Sequence, residues 1–238
     1  CKINFMRINK YIASSGVCSR RKADELIKQG KVKVNNKIVI NLGDDITPND
    51  KVEVLGNIIS INQNLVYFLL NKPKGVICSA SDEKGRKTVL DIVKTNERIY
   101  PIGRLDYDSE GLILLTNDGE LSYKLTHPKM QISKTYVVKI KGDIKESELA
   151  VLRNGVKIEN IKYNKCKIKV LSKDATNTKL EIVLTEGKNR EIRKMFEFIG
   201  KEITLLKRTK IADLKLGSLD RGEYRPLKDF EIEYLKSL

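Results

Sequence analysis

The chain has 238 residues, 40% of them hydrophobic and 32% charged, with no Trp and a formal net charge of +15. That length suits one large domain or two smaller ones, with enough buried surface to need no disulfide staples. The basic excess points to a polyanionic partner, nucleic acid before an anionic membrane. Its longest apolar run, Leu65 to Leu70, falls far short of the ~18–20 residues a membrane span needs.

There is no apolar signal-peptide core near the start, so the reading is a cytoplasmic protein that does not engage a membrane. Four cysteines (Cys1, Cys18, Cys78, Cys166) form no C-x-x-C pair, and there is one His. That argues against a zinc site or a Cys–His nucleophile and for reduced, structural thiols.

Positive charge concentrates at the start. Residues 1–37 hold ten Lys/Arg and two Asp/Glu, a balance of +8, whereas residues 38–64 hold one and four, a balance of −3. Ile8, Tyr11 and Ile12 form a helical face that Gly16 terminates. Ser19 caps a second helix, SRRKADELIKQG, with Ala23, Leu26 and Ile27 on its buried side. In KVKVNNKIV, Val32 and Val34 alternate with Lys31 and Lys33, which is strand periodicity, and Asn35-Asn36 suits a hairpin turn. Lys10, Arg20, Arg21, Lys22, Lys31 and Lys33 therefore crowd one small unit. Such runs are usually a solvated surface, but Arg20-Arg21 at a helix start offers two-point contacts to phosphate. The run RINKYIASSGVCSRRKADELIKQGKVKVN resembles an S4 RNA-binding domain across nearly the whole module. The resemblance implies binding to structured RNA through the helical face.

This pattern ends near Asn62-Gln63-Asn64, which places domains at 6–60 and 64–238. Beyond it, strand-sized apolar segments fall at 66–71, 112–116, 135–140, 166–171 and 179–185. Helix-like segments fall at 88–93, 120–125, 146–153, 189–199 and 228–236. They do not alternate regularly and no G-x-G-x-x-G occurs, so the expected class is α+β with a mixed sheet rather than a doubly wound nucleotide fold.

Within this region GRLDYDSEGLILLTNDG (103–119) sets Asp106, Asp108 and Glu110 in a loop before the apolar run Leu112–Leu115. Three roles are open to these acids from physics alone: turn solvation, a Mg²⁺ cluster, or one activated carboxylate kept charged by an arginine. Spacing does not choose between Asp106 and Asp108.

Four motifs stand in order: NKPKG at 71–75, the 103–119 segment, Lys134-Thr135-Tyr136, and EGKNREIRKMF at 186–196. Together they resemble the RsuA/RluB-type pseudouridine synthases of ribosomal RNA. The resemblance implies an S4-like domain followed by a mixed, mainly antiparallel synthase domain with flanking helices. It implies Asp106 as catalytic carboxylate, Tyr136 as the aromatic beside a flipped uracil and Arg193 as the guanidinium paired with Asp106. No metal or other cofactor is implied. Arg104 would assist base flipping; Asn71, Lys72, Lys74, Arg190 and Lys194 would face RNA. His127 reads as a structural loop residue. The 186–196 motif, followed by Leu206-Lys207-Arg208, resembles the large-subunit (23S) group more than the small-subunit (16S) group. The expected partner is structured ribosomal RNA, free or in an assembling subunit, bound by a monomer. A noncatalytic S4-type assembly factor is the alternative from another class.

Overall fold

The computed structural model describes residues 5–61 and 64–238. Asn62 and Gln63, where the sequence places its domain boundary, and Cys1 lie outside them. The chain divides into two compact units. The first runs to Val66 and includes Thr95–Ile99 and Asn117–Gly119; the second holds Tyr67–Lys94, Tyr100–Thr116 and Glu120–Leu238.

The first unit opens with β1 (Met6–Arg7), α1 (Ile8–Ser14) and α2 (Arg20–Lys28). Strands β2 (Val32–Val34), β3 (Lys37–Ile38), β4 (Asp45–Ile46), β5 (Val52–Val54) and β6 (Asn57–Ile59) follow. An antiparallel sheet runs β3-β2-β5-β6, and β1 pairs with β4. Ser19 caps α2 by accepting the Lys22 N–H at 3.2 Å. Asn35 and Asn36 take φ of +50° and +67°, as a two-residue hairpin turn requires. Ile8, Ile12, Ala23, Ile27, Val32 and Val52 are fully buried in one core, so the helical and strand faces read from the sequence pack together. Arg20, Arg21, Lys22, Lys31 and Lys33 are exposed and Lys10 is half-buried. Lys22 pairs with Glu25 and Lys33 with Glu53; surface pairs of this kind contribute little to stability.

The second unit contains β7 (Tyr67–Lys72), β8 (Tyr100–Ile102), β9 (Glu110–Thr116), α3 (Gly119–Thr126), β10 (Lys134–Lys141) and α4 (Glu146–Arg153). It continues with β11 (Lys157–Ile158), β12 (Ile161–Lys162), β13 (Lys167–Lys173), β14 (Asn177–Leu184), α5 (Glu191–Phe198), β15 (Ile203–Ile211), β16 (Leu214–Lys215), β17 (Tyr224–Pro226) and α6 (Asp229–Ser237). Its main sheet runs β13-β14-β10-β15-β9-β7-β17, with β16 on β15 and β8 on β9. All its pairings are antiparallel except β9–β15, which makes it the mixed, mainly antiparallel sheet expected of an α+β fold. All seven residues of β9 are buried, as a strand covered on both faces must be. Leu69, Leu112, Leu114, Leu121, Leu125 and Leu235 pack in one cluster, and α5 buries Ile192, Met195 and Phe196.

Two expectations change. The helix at 88–93 is only a 3₁₀ turn at Val89–Asp91. The Thr88 N–H and Oγ1 both bond the Asp91 carboxylate, closing the segment on itself. The nine-residue β15, not anticipated at all, bridges β10 and β9 in mid-sheet; Lys207, Arg208 and Lys210 break its apolar pattern.

Candidate active site

The loop before β9 is tied at several points. The Leu105 N–H donates to Cys78 Sγ at 3.3 Å, and the Gly75 N–H donates to the Tyr107 carbonyl at 2.9 Å. Asp106 and Ser109 close a turn through a 3.1 Å backbone bond. Lys72 Nζ donates to the Ser109 carbonyl at 2.7 Å and to Pro73 O at 2.9 Å. Arg193 Nη2, from α5, donates to Asp108 O at 3.0 Å and to Ser109 Oγ at 3.3 Å. The loop is thereby held from three separate segments, so Asp106 has a defined aim.

That aim is a cavity of about 310 Å³, lined among others by Arg104, Asp106, Tyr136, Leu184, Arg190 and Leu206. The Asp106 side chain is 30% exposed, with Arg190 Nη1 at 3.9 Å from its carboxylate. Tyr136 on β10 is 9% exposed. Its hydroxyl makes no hydrogen bond among the described residues. The β10–β15 register shifts between Thr135 and Tyr136, a bulge of the sort that re-aims side chains beside functional sites. A carboxylate, an aromatic ring and apolar walls thus converge on space that suits a flat heterocycle. Glu110 does not join them: it is buried and paired with Arg221 at 3.1 Å. Among the described residues no three His, Cys, Asp or Glu side chains form a metal cradle.

The arginines divide their work differently from the expectation. Arg193 pairs with Asp108, Nε to Oδ2 at 3.2 Å, rather than with Asp106. Arg190, expected to meet only phosphate, reaches both acids, with Asp108 at 3.3 Å. The reason is backbone geometry. Arg190 sits at φ +51°, just before α5, which leaves it at the cavity while Arg193, one turn on, lies behind the loop. Burial lowers the Arg193 pKa, and the Asp108 charge opposes that.

Asn71 and Lys72 do not face RNA. Asn71 is 2% and Lys72 0% exposed, because β7 lies inside the sheet. Asn71 Nδ2 donates to Leu219 O at 2.8 Å. Burial pushes the Lys72 ammonium below its usual range, against the pull of Asp106, Asp108 and Glu110. Lys74 is exposed, donating to Thr204 O at 3.3 Å. Arg104 is exposed at the cavity rim, and Lys194 is half-buried outside it. His127 is a loop support: its Nδ1 accepts the Lys129 N–H and its ring lies 4.7 Å from that of Tyr123. Cys18, Cys78 and Cys166 are free thiols.

Sequence reasoning missed three participants. Cys78 accepts from the loop that carries Asp106, and burial raises its thiol pKa. Glu191 is pushed up to about 8 by burial and by its neighbour Glu186, and it accepts the Lys188 N–H at 2.9 Å, which holds the 186–191 loop against the cavity. Arg208 on β15 is buried and lines the neighbouring cavity. The sequence carried a signal for Glu191, through its place in EGKNRE, and for Arg208 only as a subgroup marker in Leu206-Lys207-Arg208.

Lys72→Met keeps the volume and removes only the ammonium. Thermal stability should fall by about 1–3 kcal/mol, because the Ser109 and Pro73 carbonyls lose their donor. Turnover should fall by roughly ten- to a hundredfold, since the loop carrying Asp106 loses a tie and catalytic misplacement of about 1 Å costs that much. A variant with wild-type turnover would remove Lys72 from the positioning set.

Comparison with known proteins agrees with this architecture. Residues 66–198 match the model of the RNA pseudouridylate synthase family, and residues 6–52 match that of the S4 domain. The chain is 51% identical to ribosomal large subunit pseudouridine synthase B of Bacillus subtilis, over 98% of this chain and 96% of that protein. It is 40% identical to the dual-specificity RNA pseudouridine synthase RluF of Escherichia coli K12, covering 95% of this chain and 77% of the other. A crystal structure of a pseudouridylate synthase superimposes with a TM-score of 0.70 at 33% identity, covering 97% of this chain and 99% of that one. With the family model spanning more than half of the chain and near full-length relatives at this identity, the chain belongs to the RNA pseudouridylate synthase family and carries an S4 domain at its N-terminal end.

Proposed function

We propose that this enzyme isomerises a specific uridine of large-subunit (23S) ribosomal RNA to pseudouridine, with Asp106 as the catalytic carboxylate. The observation that carries the reading is the meeting of Asp106, Tyr136 and Arg190 around one base-sized cavity. The large-subunit assignment draws support from the Bacillus subtilis relative, whose name states that substrate.

In the reaction the N1–C1′ bond breaks, the uracil turns, and C5 joins C1′. C5 loses a proton and N1 ends protonated, so atoms and charge balance without a redox partner. Asp106 would supply the negative charge that acts on the sugar or the base. Tyr136 would stack on the extruded uracil, which offsets part of the unstacking cost, and its unengaged hydroxyl would relay the C5 proton, its oxygen accepting that proton as its own passes to water. Arg104 at the rim would help displace the base. Arg190 would hold the Asp106 charge in place while Arg193 positions the loop through Asp108. The S4-like domain, residues 6–60, would grip structured RNA through Lys10, Arg20, Arg21, Lys22, Lys31 and Lys33, with residues 64–238 forming the catalytic domain. Lys74 and Lys194 would add backbone contacts. The expected working form is a cytoplasmic monomer acting on free RNA or on an assembling subunit.

The test uses purified protein with large- and small-subunit ribosomal RNA, each as naked transcript and as assembling particle. Pseudouridine should appear at a defined large-subunit position and persist with EDTA if the RNA stays folded. Conversion confined to small-subunit RNA would overturn the subunit assignment, and none in any substrate would overturn the activity.

A further inference from the structure

Next to the active cavity lies a second one of about 300 Å³, whose lining includes Ile132, Lys134, Tyr136, Glu186, Lys188 and Arg208. The two share Gly103, Arg104, Tyr136, Gly187 and Lys188, so Tyr136 lines both. The second cavity has an unusual charge arrangement. Arg208 is 3% exposed. Its Nε donates to Leu112 O at 2.7 Å, its Nη2 has no partner, and it makes no ion pair among the described residues. Lys134, at the start of β10, donates to Ile132 O at 3.1 Å and likewise has no carboxylate partner. Burial lowers the Lys134 pKa and the Arg208 charge adds to that, while the Glu191 charge opposes both. Glu186, the carboxylate lining this cavity, is already engaged: it pairs with Lys188 at 2.5 Å and accepts from Asn164 N at 2.7 Å and Nδ2 at 3.0 Å.

A buried guanidinium and a half-buried ammonium that face one cavity, neither within ion-pair distance of a carboxylate among the described residues, carry a desolvation cost that a bound anion relieves. We propose that this cavity is an anion subsite which seats a backbone phosphate of the RNA next to the extruded uridine, held by Arg208 and Lys134. The proposal rests on the RNA isomerase reading above. It follows from continuity: a nucleotide whose base enters the Asp106 cavity brings a phosphodiester on either side of its ribose. A phosphate locked behind Tyr136 would fix the sugar relative to Asp106, so that extrusion of the base and alignment of C1′ become one event.

The experiment is a binding cycle with the full chain and a short RNA containing the target uridine. Single linkages around the target are replaced one at a time by uncharged methylphosphonate. At one flanking linkage the replacement should weaken wild-type binding by about tenfold, a loss typical of a charge-assisted contact, yet weaken Lys134→Gln by no more than about twofold. Lys134→Arg should restore the wild-type response. Arg208→Gln should behave as Lys134→Gln if it folds; Lys134→Gln, at a half-buried position, keeps the test open if it does not. Additive effects at every linkage would overturn the subsite. So would stabilisation of wild type but not Lys134→Gln by inorganic phosphate alone, with no coupling to any RNA linkage. Because binding is read separately from conversion, loss of the isomerase reading shows independently as absent pseudouridine in the unmodified RNA.

Discussion

Asp106→Asn is expected to abolish pseudouridine formation while RNA binding stays within about threefold of wild type, since it removes one charge and leaves the phosphate contacts. The side chain keeps its shape, and the turn it opens is made by its backbone carbonyl to the Ser109 N–H. Asp108 still binds Arg190 and Arg193, so the loop and both guanidiniums retain an anchor. What disappears is the negative charge facing Tyr136 across the cavity. The loss in single-turnover rate should reach about 10⁴-fold or more, as for removal of a catalytic group from a preorganised site. A variant that converted uridine at the wild-type rate would disqualify Asp106 and turn attention to Asp108. Asp108→Asn makes the opposite kind of change: it leaves the Asp106 carboxylate and loosens the arginines, so its defect should be smaller.

Gly111→Ala is expected to be the most damaging small substitution for the fold. Gly111 has φ +107°, and a methyl group there would lie 2.2 Å from the Arg208 carbonyl oxygen and 2.7 Å from its nitrogen. The approach arises at the parallel junction of the sheet, where β15 meets β9 through only Lys207↔Glu110 and Arg208↔Gly111. The strand β15 has little room to retreat, because its other edge is paired along most of β10. Strain at a forbidden φ and overpacking against backbone together suggest a loss of about 3–5 kcal/mol. Against a typical total of ~5–15 kcal/mol, the thermal midpoint should drop by roughly 10 °C or more. Gly187→Ala is the control: Gly187 has an ordinary φ and no atom within 4 Å of the added carbon, so stability should hardly move. Equal melting of Gly111→Ala and wild type, followed by circular dichroism, would refute the close approach.

Much of the first unit was legible because its signals are local. A Ser cap, two helical apolar faces and an Asn-Asn turn each act within a few residues, and the structure assembles them as read. The buried strand β9 was legible for the same reason, since four consecutive aliphatic residues leave no polar face. The strand β15 was not: Lys207 and Arg208 mark it as surface, whereas the sheet covers Arg208 on both sides. Asn71 and Lys72 failed in the same direction. Their polar types suggested RNA contact, but β7 is an inner strand, and their side-chain nitrogens donate to carbonyls of residues 219 and 109.

By itself the sequence determined the α+β class, the S4-like start, the buried strand behind the acidic loop and the motif set that signals an RNA isomerase. It did so because periodicity, caps and short motifs are properties of neighbouring residues. Only the tertiary structure decided that Arg193 holds Asp108 while Arg190 reaches Asp106, that Lys72 is a tie inside the fold, and that Arg208 and Lys134 line one cavity with no ion pair of their own among the described residues. Those outcomes depend on pairs separated by tens of residues, where ion-pair distance and burial, rather than residue type, set what a charge can do.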